Sequence, residues 1–431
     1  LISYSFPGLT IYNTEKKTVL HYSPTSNKGV IFEQLSAMMT AQNGNVWLGT
    51  YQKGLIIKDA NSKEFLQVLS SELNPNGIYP TQITDIFEDD NNNIWLATLS
   101  HGVYFISNSN RKSKTLTRFS ATWNKLEDNT IWSMMEDSKD RLWIGSNSKG
   151  IQILNPKDKS SLSFQHDPND PKSLSDNTVL DILETEKGDI WVATNRGLNL
   201  FDSDNNQFTR FFYDDANFFS AYVLPNIFED SSHNIWVASF NGGLTKLDTN
   251  FESKNFRHTQ SKNSISNNFV TSITEDKTGK LWLGTRNSLN SFNPKTELFE
   301  RFNLPNNSIW SLHYDMKEHS LLVGTSSGLI KFNIEKRSSE IFNKGKGLAG
   351  EMIYCILQQD RTIYLSTEEG LSQINSDGKI INYQQQNGFQ GGYNLNSCTK
   401  TKNSIFYFGG NKGCLYKPST PTTNKKGENE G

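Results

Sequence analysis

The sequence predicts an all-β fold assembled from repeated four-stranded sheets, and three observations carry that prediction. A tryptophan phrase recurs as Trp47-Leu-Gly-Thr50, Trp95-Leu-Ala-Thr98, Trp143-Ile-Gly-Ser146, Trp191-Val-Ala-Thr194, Trp236-Val-Ala-Ser239 and Trp282-Leu-Gly-Thr285, with successive tryptophans 48, 48, 48, 45 and 46 residues apart. A period of this size marks a repeat architecture. The runs around each phrase are short, rich in β-branched and aromatic residues, and bounded by Gly, Asn and Asp. No sustained 3.6-residue periodicity runs through the chain, and the stretches between turns are too short for ordinary helices.

The unit around Trp191 shows the anatomy of one repeat. Val179 to Leu183 is an apolar run, followed by a polar turn from Glu184 to Gly188. Asp189 to Thr194 carries the tryptophan, a tight turn follows at Asn195-Arg196-Gly197, and Leu198 to Phe201 and Phe208 to Phe212 complete four strands. Four antiparallel strands repeated at about 45 residues are the pattern of a β-propeller blade. The tryptophan phrase is then the second strand, packed between neighbouring blades. Its aromatic fills the gap between twisted sheets, and Gly or Ala two residues later lets the next blade approach. The terminal Thr or Ser is placed to satisfy a backbone group at the turn.

Degenerate copies continue the series at Leu322-Val-Gly-Thr325, Tyr364-Leu-Ser-Thr367 and Tyr407-Phe-Gly-Gly410. Ile2-Ser-Tyr-Ser5 fits as an earlier second strand, which makes ten copies. That exceeds the four to eight blades of ordinary propellers. Seven second strands run from Trp143 to Tyr407, and no fourth strand follows Cys414-Leu-Tyr416. Thr115-Leu-Thr-Arg-Phe119 has the character of a fourth strand and can supply it, since closure alone removes exposed edges. The expected organisation is therefore a partial N-terminal propeller of about two and a half blades at 1–112, a seven-bladed propeller at 113–418 and a polar tail at 419–431. A single ring of eight or nine blades is the alternative.

Charge excludes little and composition excludes more. With 43 basic and 45 acidic residues the chain is nearly neutral, which gives no reason to expect nucleic acid as a partner. No apolar run of 18 residues is present, so membrane attachment is expected only through segments outside these residues. The chain opens in mid-repeat and reads as part of something longer. The three cysteines lack metal spacing. Cys355 and Cys398 fall on consecutive innermost strands within reach of one another, but free buried thiols are the expectation.

The repeat phrases resemble a known family. Glu88 to Thr98, Glu-Asp-x-x-x-Asn-Ile-Trp-Leu-Ala-Thr, and Asp170 to Val179, Asp-Pro-Lys-Ser-Leu-Ser-Asp-Asn-Thr-Val, look like the two-component regulator propeller repeat. Gly347-Leu348, Ile353 to Leu357, Gly370-Leu371, Asn387-Gly-Phe389, Asn394 and Tyr407 to Gly413 resemble the end of the second propeller in hybrid two-component sensors of gut Bacteroidetes. In that family two seven-bladed propellers precede an immunoglobulin-like domain, a membrane helix, a histidine kinase, a receiver and a DNA-binding domain. The resemblance implies a periplasmic sensor of glycan-derived oligosaccharide, passing its signal to a kinase that these residues do not contain. It leaves homodimerisation of the full-length protein open.

In a propeller, the loops entering each first strand and the turns between second and third strands share one face. The ligand-binding candidates there are Tyr79, Trp132, Arg196, Tyr222, Phe269, Arg286, Trp310 and Tyr354. Asn129, Asn177, Asn268, Asn307, Tyr51, Lys53, His101, Lys149, Phe240, Asn241, Glu368 and Lys412 occupy neighbouring positions. Rings pack on sugar faces, amides read hydroxyls and guanidinium groups take carboxylate or sulfate in a fork. A ligand seat between two propellers is the alternative that the resemblance suggests.

Catalysis is not expected, and neither a cofactor nor a metal is. The carboxylates Glu88-Asp89-Asp90, Glu136-Asp137, Glu229-Asp230 and Glu275-Asp276 recur from blade to blade at the same turn, which marks a structural role. A glycosidase would instead need two carboxylates facing each other across a cleft. The seven histidines lack metal spacing, and no nucleophile elbow, phosphate loop or dinucleotide fingerprint is present. A propeller lyase or hydrolase acting on polysaccharide, and a protein-binding scaffold, are the competing readings.

Overall fold

Alternation of apolar and polar residues over four to seven positions, broken by turns, leaves these segments one regular option, the antiparallel strand. The computed structural model describes residues 9–13, 17–22, 34–58, 60, 65–68, 82–90, 92, 94–106, 114–116, 124–211, 223–305, 308–384 and 392–418. Apart from one 3-10 turn at Lys344–Lys346, the described residues hold no helix. The chain divides into two compact units, Leu1–Lys112 and Ser113–Gly431. The expected tail at 419–431, like Phe212 and residues 117–119, lies outside the described residues.

In the first unit, Leu9–Asn13 pairs with Thr18–Tyr22. A four-stranded sheet follows at Leu35–Thr40, Val46–Thr50, Leu55–Lys58 and Phe65–Val68. A three-stranded sheet then joins Ile83–Glu88, Ile94–Thr98 and Val103–Ile106.

The second unit contains seven four-stranded sheets, here called blades 1 to 7. Blade 1 runs Ile131–Glu136, Leu142–Ser146, Ile151–Asn155, Ser160–Phe164; blade 2 runs Val179–Glu184, Ile190–Thr194, Gly197–Asp202, Gln207–Phe211. Blade 3 runs Asn226–Glu229, Ile235–Ser239, Gly243–Leu247, Ser253–Phe256; blade 4 runs Val270–Glu275, Leu281–Thr285, Leu289–Asn293, Leu298–Phe302. Blade 5 runs Ile309–Asp315, Ser320–Thr325, Gly328–Asn333, Ser338–Phe342; blade 6 runs Ile353–Gln359, Thr362–Thr367, Gly370–Ile374, Ile380–Gln384. Blade 7 comprises Tyr393–Lys400, Ile405–Gly410 and Gly413–Pro418, and its fourth strand is Lys114–Leu116, paired Lys114 to Tyr416, Thr115 to Leu415 and Leu116 to Cys414. Each innermost strand packs on that of the next blade, and blade 7 packs on blade 1, which closes the ring.

The seams between blades explain the repeat. Trp143 sits in a cluster with Val179 and Val192 of blade 2, and Trp236 with Val270 and Leu283 of blade 4. Trp47, Trp143, Trp191, Trp236 and Trp282 are at most 3% exposed, whereas Trp95 in the three-stranded sheet is 40% exposed. At Gly145 and Gly284, two residues after their tryptophans, contact leaves no room for a side chain. A Cβ at Gly145 would fall 2.6 Å from Val179 Cγ1, and one at Gly284 would fall 2.6 Å from Ile309 Cγ2. The Thr or Ser ending the phrase closes its turn, as in Thr194 Oγ1 to Gly197 O at 3.0 Å and Thr367 Oγ1 to Gly370 O at 2.9 Å.

The recurring acidic pairs divide two structural tasks. The Asp takes the indole N–H of its own blade: Trp143 Nε1 donates to Asp137 at 2.8 Å, Trp236 to Asp230 at 2.7 Å, Trp282 to Asp276 at 2.7 Å and Trp95 to Asp89 at 3.0 Å. The Glu reaches the preceding blade and accepts a backbone N–H from its first turn. Lys402 N donates to Glu136, Ser138 N to Glu184, Glu186 N to Glu229 and Ser231 N to Glu275, all between 2.6 and 2.8 Å. One carboxylate therefore seals a blade and the other staples two blades together.

The structure corrects one cysteine expectation. Cys355 of blade 6 and Cys398 of blade 7 form a disulfide with Cα atoms 6.2 Å apart, where free thiols were expected. Adjacent innermost strands run side by side, which brings the two Cα atoms within bridging range. Cys414 is free and buried, and burial raises its thiol well above the usual range.

Asp230→Ala is expected to cost about 2–3 kcal/mol of stability, because a buried indole N–H and the turn amides of Ser232 and Asn234 lose a charged acceptor. Asp→Ala at position 204, an exposed turn residue, is the control expected to change little. Chemical denaturation of both variants measures the difference.

Candidate functional site

The loops that enter the innermost strands and the turns between second and third strands are joined by backbone hydrogen bonds among the described residues, which places them on one rim. Within a blade, Asn147 N donates to Thr130 O, Asn195 N to Thr178 O, Phe240 N to Val223 O and Arg286 N to Phe269 O. Between blades, Gly150 N donates to Asn177 O, Gly243 N to Asn268 O and Gly413 N to Asn129 O. Gly150 and Gly243 take φ of 65° and 82°, and a Cβ at either would strike a backbone carbonyl, of Phe164 or Phe256.

Tyr79 and Tyr222 lie outside the described residues. Trp132, Trp310 and Tyr354 occupy the same place in blades 1, 5 and 6, the extra residue of a β-bulge near the rim end of the innermost strand. All three rings are half-buried. Trp132 Nε1 donates to Asn147 Oδ1 at 3.1 Å, whereas the buried Trp310 Nε1 has no partner among the described residues. Burial and nearby Glu368 raise the Tyr354 hydroxyl above its usual range. Arg196 is exposed, with Nε 3.9 Å from Asp176 Oδ2.

Phe269 and Arg286 are brought together. The Phe269 ring stacks on Phe240 of the preceding blade, with centroids 4.0 Å apart and planes 10° from parallel. The Arg286 guanidinium lies 5.2 Å from the Phe269 centroid. Trp132, Arg196, Trp310 and Tyr354 share the rim without a hydrogen bond or ring contact among themselves in the described residues.

Several neighbouring positions serve the loops. Asn177 Oδ1 accepts His166 N at 2.7 Å, and Asn268 Oδ1 accepts His258 N at 2.6 Å. Both carboxylate oxygens of Glu368 are engaged, by Glu351 N at 2.8 Å and Met352 N at 2.9 Å. These residues shape the rim.

The interior holds a feature that sequence reasoning missed. In blade 7 the bulge is larger than elsewhere: Tyr393 pairs with Gly410 and Cys398 with Phe408, so three extra residues leave the ladder. Asn394 Nδ2 and Ser397 Oγ donate to Ile131 O at 2.7 and 3.0 Å. Asn396, at φ 53°, donates across the ring to Pro225 O of blade 3 at 3.1 Å and Thr271 O of blade 4 at 3.4 Å. Because blades 3 and 4 stand opposite blade 7 in the ring order, this side chain bridges the axis. The run Gly392-Tyr-Asn-Leu-Asn-Ser397 reads as one more strand, and nothing local in it announces a long-range contact.

Beside this bridge, Asp181 of blade 2 accepts Ile227 N at 2.7 Å and Asn226 Nδ2 at 2.8 Å, while Asn226 Oδ1 accepts Ile273 N at 2.9 Å. Three innermost strands are thereby linked by side chains. Burial pushes the Asp181 carboxyl up to about 7, against N–H donors that favour the carboxylate.

Two-component regulator propeller is the family whose model matches, at residues 80–100, 125–148, 173–196 and 264–287. The chain carries two-component regulator propeller repeats. By fold it is similar to structures described as extracellular domains of hybrid two component systems from B. thetaiotaomicron. For BT3049 the TM-score is 0.73 at 22% identity, over 99% of this chain and 58% of that one. For BT4673 it is 0.63 at 19% identity, over 96% of this chain and 56% of that one. The chain thus spans somewhat more than half the length of either. The virginiamycin B lyase of Staphylococcus aureus is similar in fold, with TM-score 0.55 at 11% identity over 71% of this chain and 97% of that one. Among curated proteins, none matches the chain by sequence.

The raised Asp181 carboxyl sets a pH dependence with a definite sign. The folded state holds this proton more tightly than the unfolded state, whose carboxyl lies near the usual 3.8. Its contribution to stability is therefore fully present below about pH 4 and is lost as pH rises toward 7. The melting temperature of the wild type minus that of Asp181→Asn is expected to fall steadily across this window. Thermal melts of both proteins from pH 4 to pH 8 measure it.

Proposed function

We propose that this chain is the extracytoplasmic sensor region of a two-component signalling protein. In this reading it lies in the periplasm, binds oligosaccharide released from glycans on the rim of the 113–418 propeller, and passes the signal to a kinase outside these residues. The observation that carries the reading is the conjunction of two-component regulator propeller repeats with likeness, along almost the whole chain, to extracellular domains of hybrid two component systems. The rim adds chemical support. Half-buried aromatic rings recur at one bulge position, and elsewhere on the rim the Arg286 guanidinium lies over Phe269. Aromatic faces and planar donors are what sugar rings and their acidic substituents recognise.

A catalytic reading finds less support. The carboxylates that recur at this turn are spent on the tryptophan in blades 1, 3 and 4 and on backbone amides of the preceding blade. The likeness to a lyase is one of fold, and a fold hosts many chemistries.

The test is a thermal-shift screen of the protein against defined neutral and acidic oligosaccharides, with product analysis in parallel. A ligand at 100 times its Kd stabilises by about 2.7 kcal/mol, enough for a shift of a few degrees. The expected result is a saturable shift with intact saccharide recovered, reduced in Trp310→Ala. Turnover of a saccharide would establish the enzymatic reading instead, and a flat screen would favour a protein-binding scaffold.

A further inference from the structure

The rim corner between blades 3 and 4 is built unlike the rest of the rim. The turn after Trp236-Val-Ala-Ser239 supplies Phe240 and Asn241, and Asn241 takes φ 77°. Phe240 stacks face to face on Phe269, and Arg286 lies over Phe269, giving an ordered series of ring, ring and guanidinium. Arg257, from the end of the outermost strand of blade 3, reaches the same turn and donates from Nη2 to Asn241 O at 3.0 Å. Both arginines are exposed.

Arg286 lies over a ring with no carboxylate partner among the described residues, unlike Arg141 over Trp143 and Arg337 over Phe302. Arg141 pairs with Asp137 at 2.6 Å and Arg337 with Glu300 at 2.8 Å, and Arg210 and Arg301 are bound to loop carbonyls. Among the described residues no carboxylate pairs with Arg257 or Arg286. A guanidinium stacked on an aromatic ring keeps its edge donors free and held in one plane. It therefore loses less rotamer entropy when it receives a planar or tetrahedral oxyanion. A second positive group anchored to the same turn adds attraction without competing for the ring.

We propose that this corner is an anion-recognition position, where Arg286, oriented by the Phe240–Phe269 stack and assisted by Arg257, receives the carboxylate or sulfate of an acidic saccharide. The inference rests on the saccharide reading above and narrows it to sugars that carry acid. Arg286 acts as a binding residue, Phe269 and Phe240 as its positioning residues.

The experiment is isothermal titration of the protein with three probes: tri-galacturonic acid, which carries carboxylate only, a 6-sulfated galactose disaccharide, which carries sulfate only, and neutral maltotriose. The expected result is binding of at least one acidic probe, weakened about tenfold or more in Arg286→Ala and less in Arg286→Lys, which keeps the charge but not the planar fork. Arg257→Ala is expected to weaken the same probe more modestly. The acidic probe that binds assigns carboxylate or sulfate. Acidic probes bound equally well by the wild type and both alanine variants would overturn the inference. Binding of maltotriose alone would overturn it while leaving the broader saccharide reading intact, and binding of no probe would contradict both. All of these substitutions fall on exposed side chains, and matching melting temperatures confirm that the variants are folded.

Discussion

The structure of residues 113–418 depends on how its last blade is finished. Three strands of blade 7 come from the C-terminal part, and the fourth, Lys114–Leu116, comes from nearly three hundred residues earlier. Without it, Gly413–Pro418 would be an open edge of unpaired amides and carbonyls. With it, Leu116 and Cys414 join Leu126, Ile131, Met134 and Ile144 in one apolar cluster, so the seam between the first and last blades is packed like the others. Closure also fixes the distance across the ring, and only then can Asn396 reach Pro225 and Thr271 on the far side.

Closure accounts for the division of labour between the two faces. The turn opposite the rim is occupied by the Asp that holds the indole and the Glu that staples the preceding blade. Those carboxylates serve the ring and recur in blades 1 to 4, where the seams share the same need. Rim residues answer to no such requirement once the backbone bonds between loop and turn are made, and there blades differ: Trp132, Thr271, Trp310 and Tyr354 all stand at one bulge position. Variation on a rigid frame is the arrangement that recognition needs, because the frame removes the ordering cost of the loops.

Legibility in the sequence followed the range of the interaction. The tryptophan strands, their glycines and the closing threonines were legible because each is a local response to a seam that repeats. The acidic pairs were legible as structural, but the reach of Glu184 to Ser138 in the preceding blade was not, since spacing alone does not say which neighbour a side chain meets. The Cys355–Cys398 bridge and the Asn396 bridge were illegible for the same reason. Both depend on where the closed ring brings two strands. On the rim, Phe269 and Arg286 were found by position, but the Phe240 ring beneath them acquires its meaning only from the stack.

Closure itself can be measured most directly by a cross-link across it. Lys114 and Tyr416 are register partners, and directly opposed antiparallel Cα atoms stand about 4.5–5.5 Å apart, within disulfide range. The double substitution Lys114→Cys with Tyr416→Cys, made together with Cys414→Ala, should oxidise to a bond within one chain and raise the melting temperature. Failure of that bond to form, or its formation only between two chains, would contradict a ring closed by its own N-terminal strand.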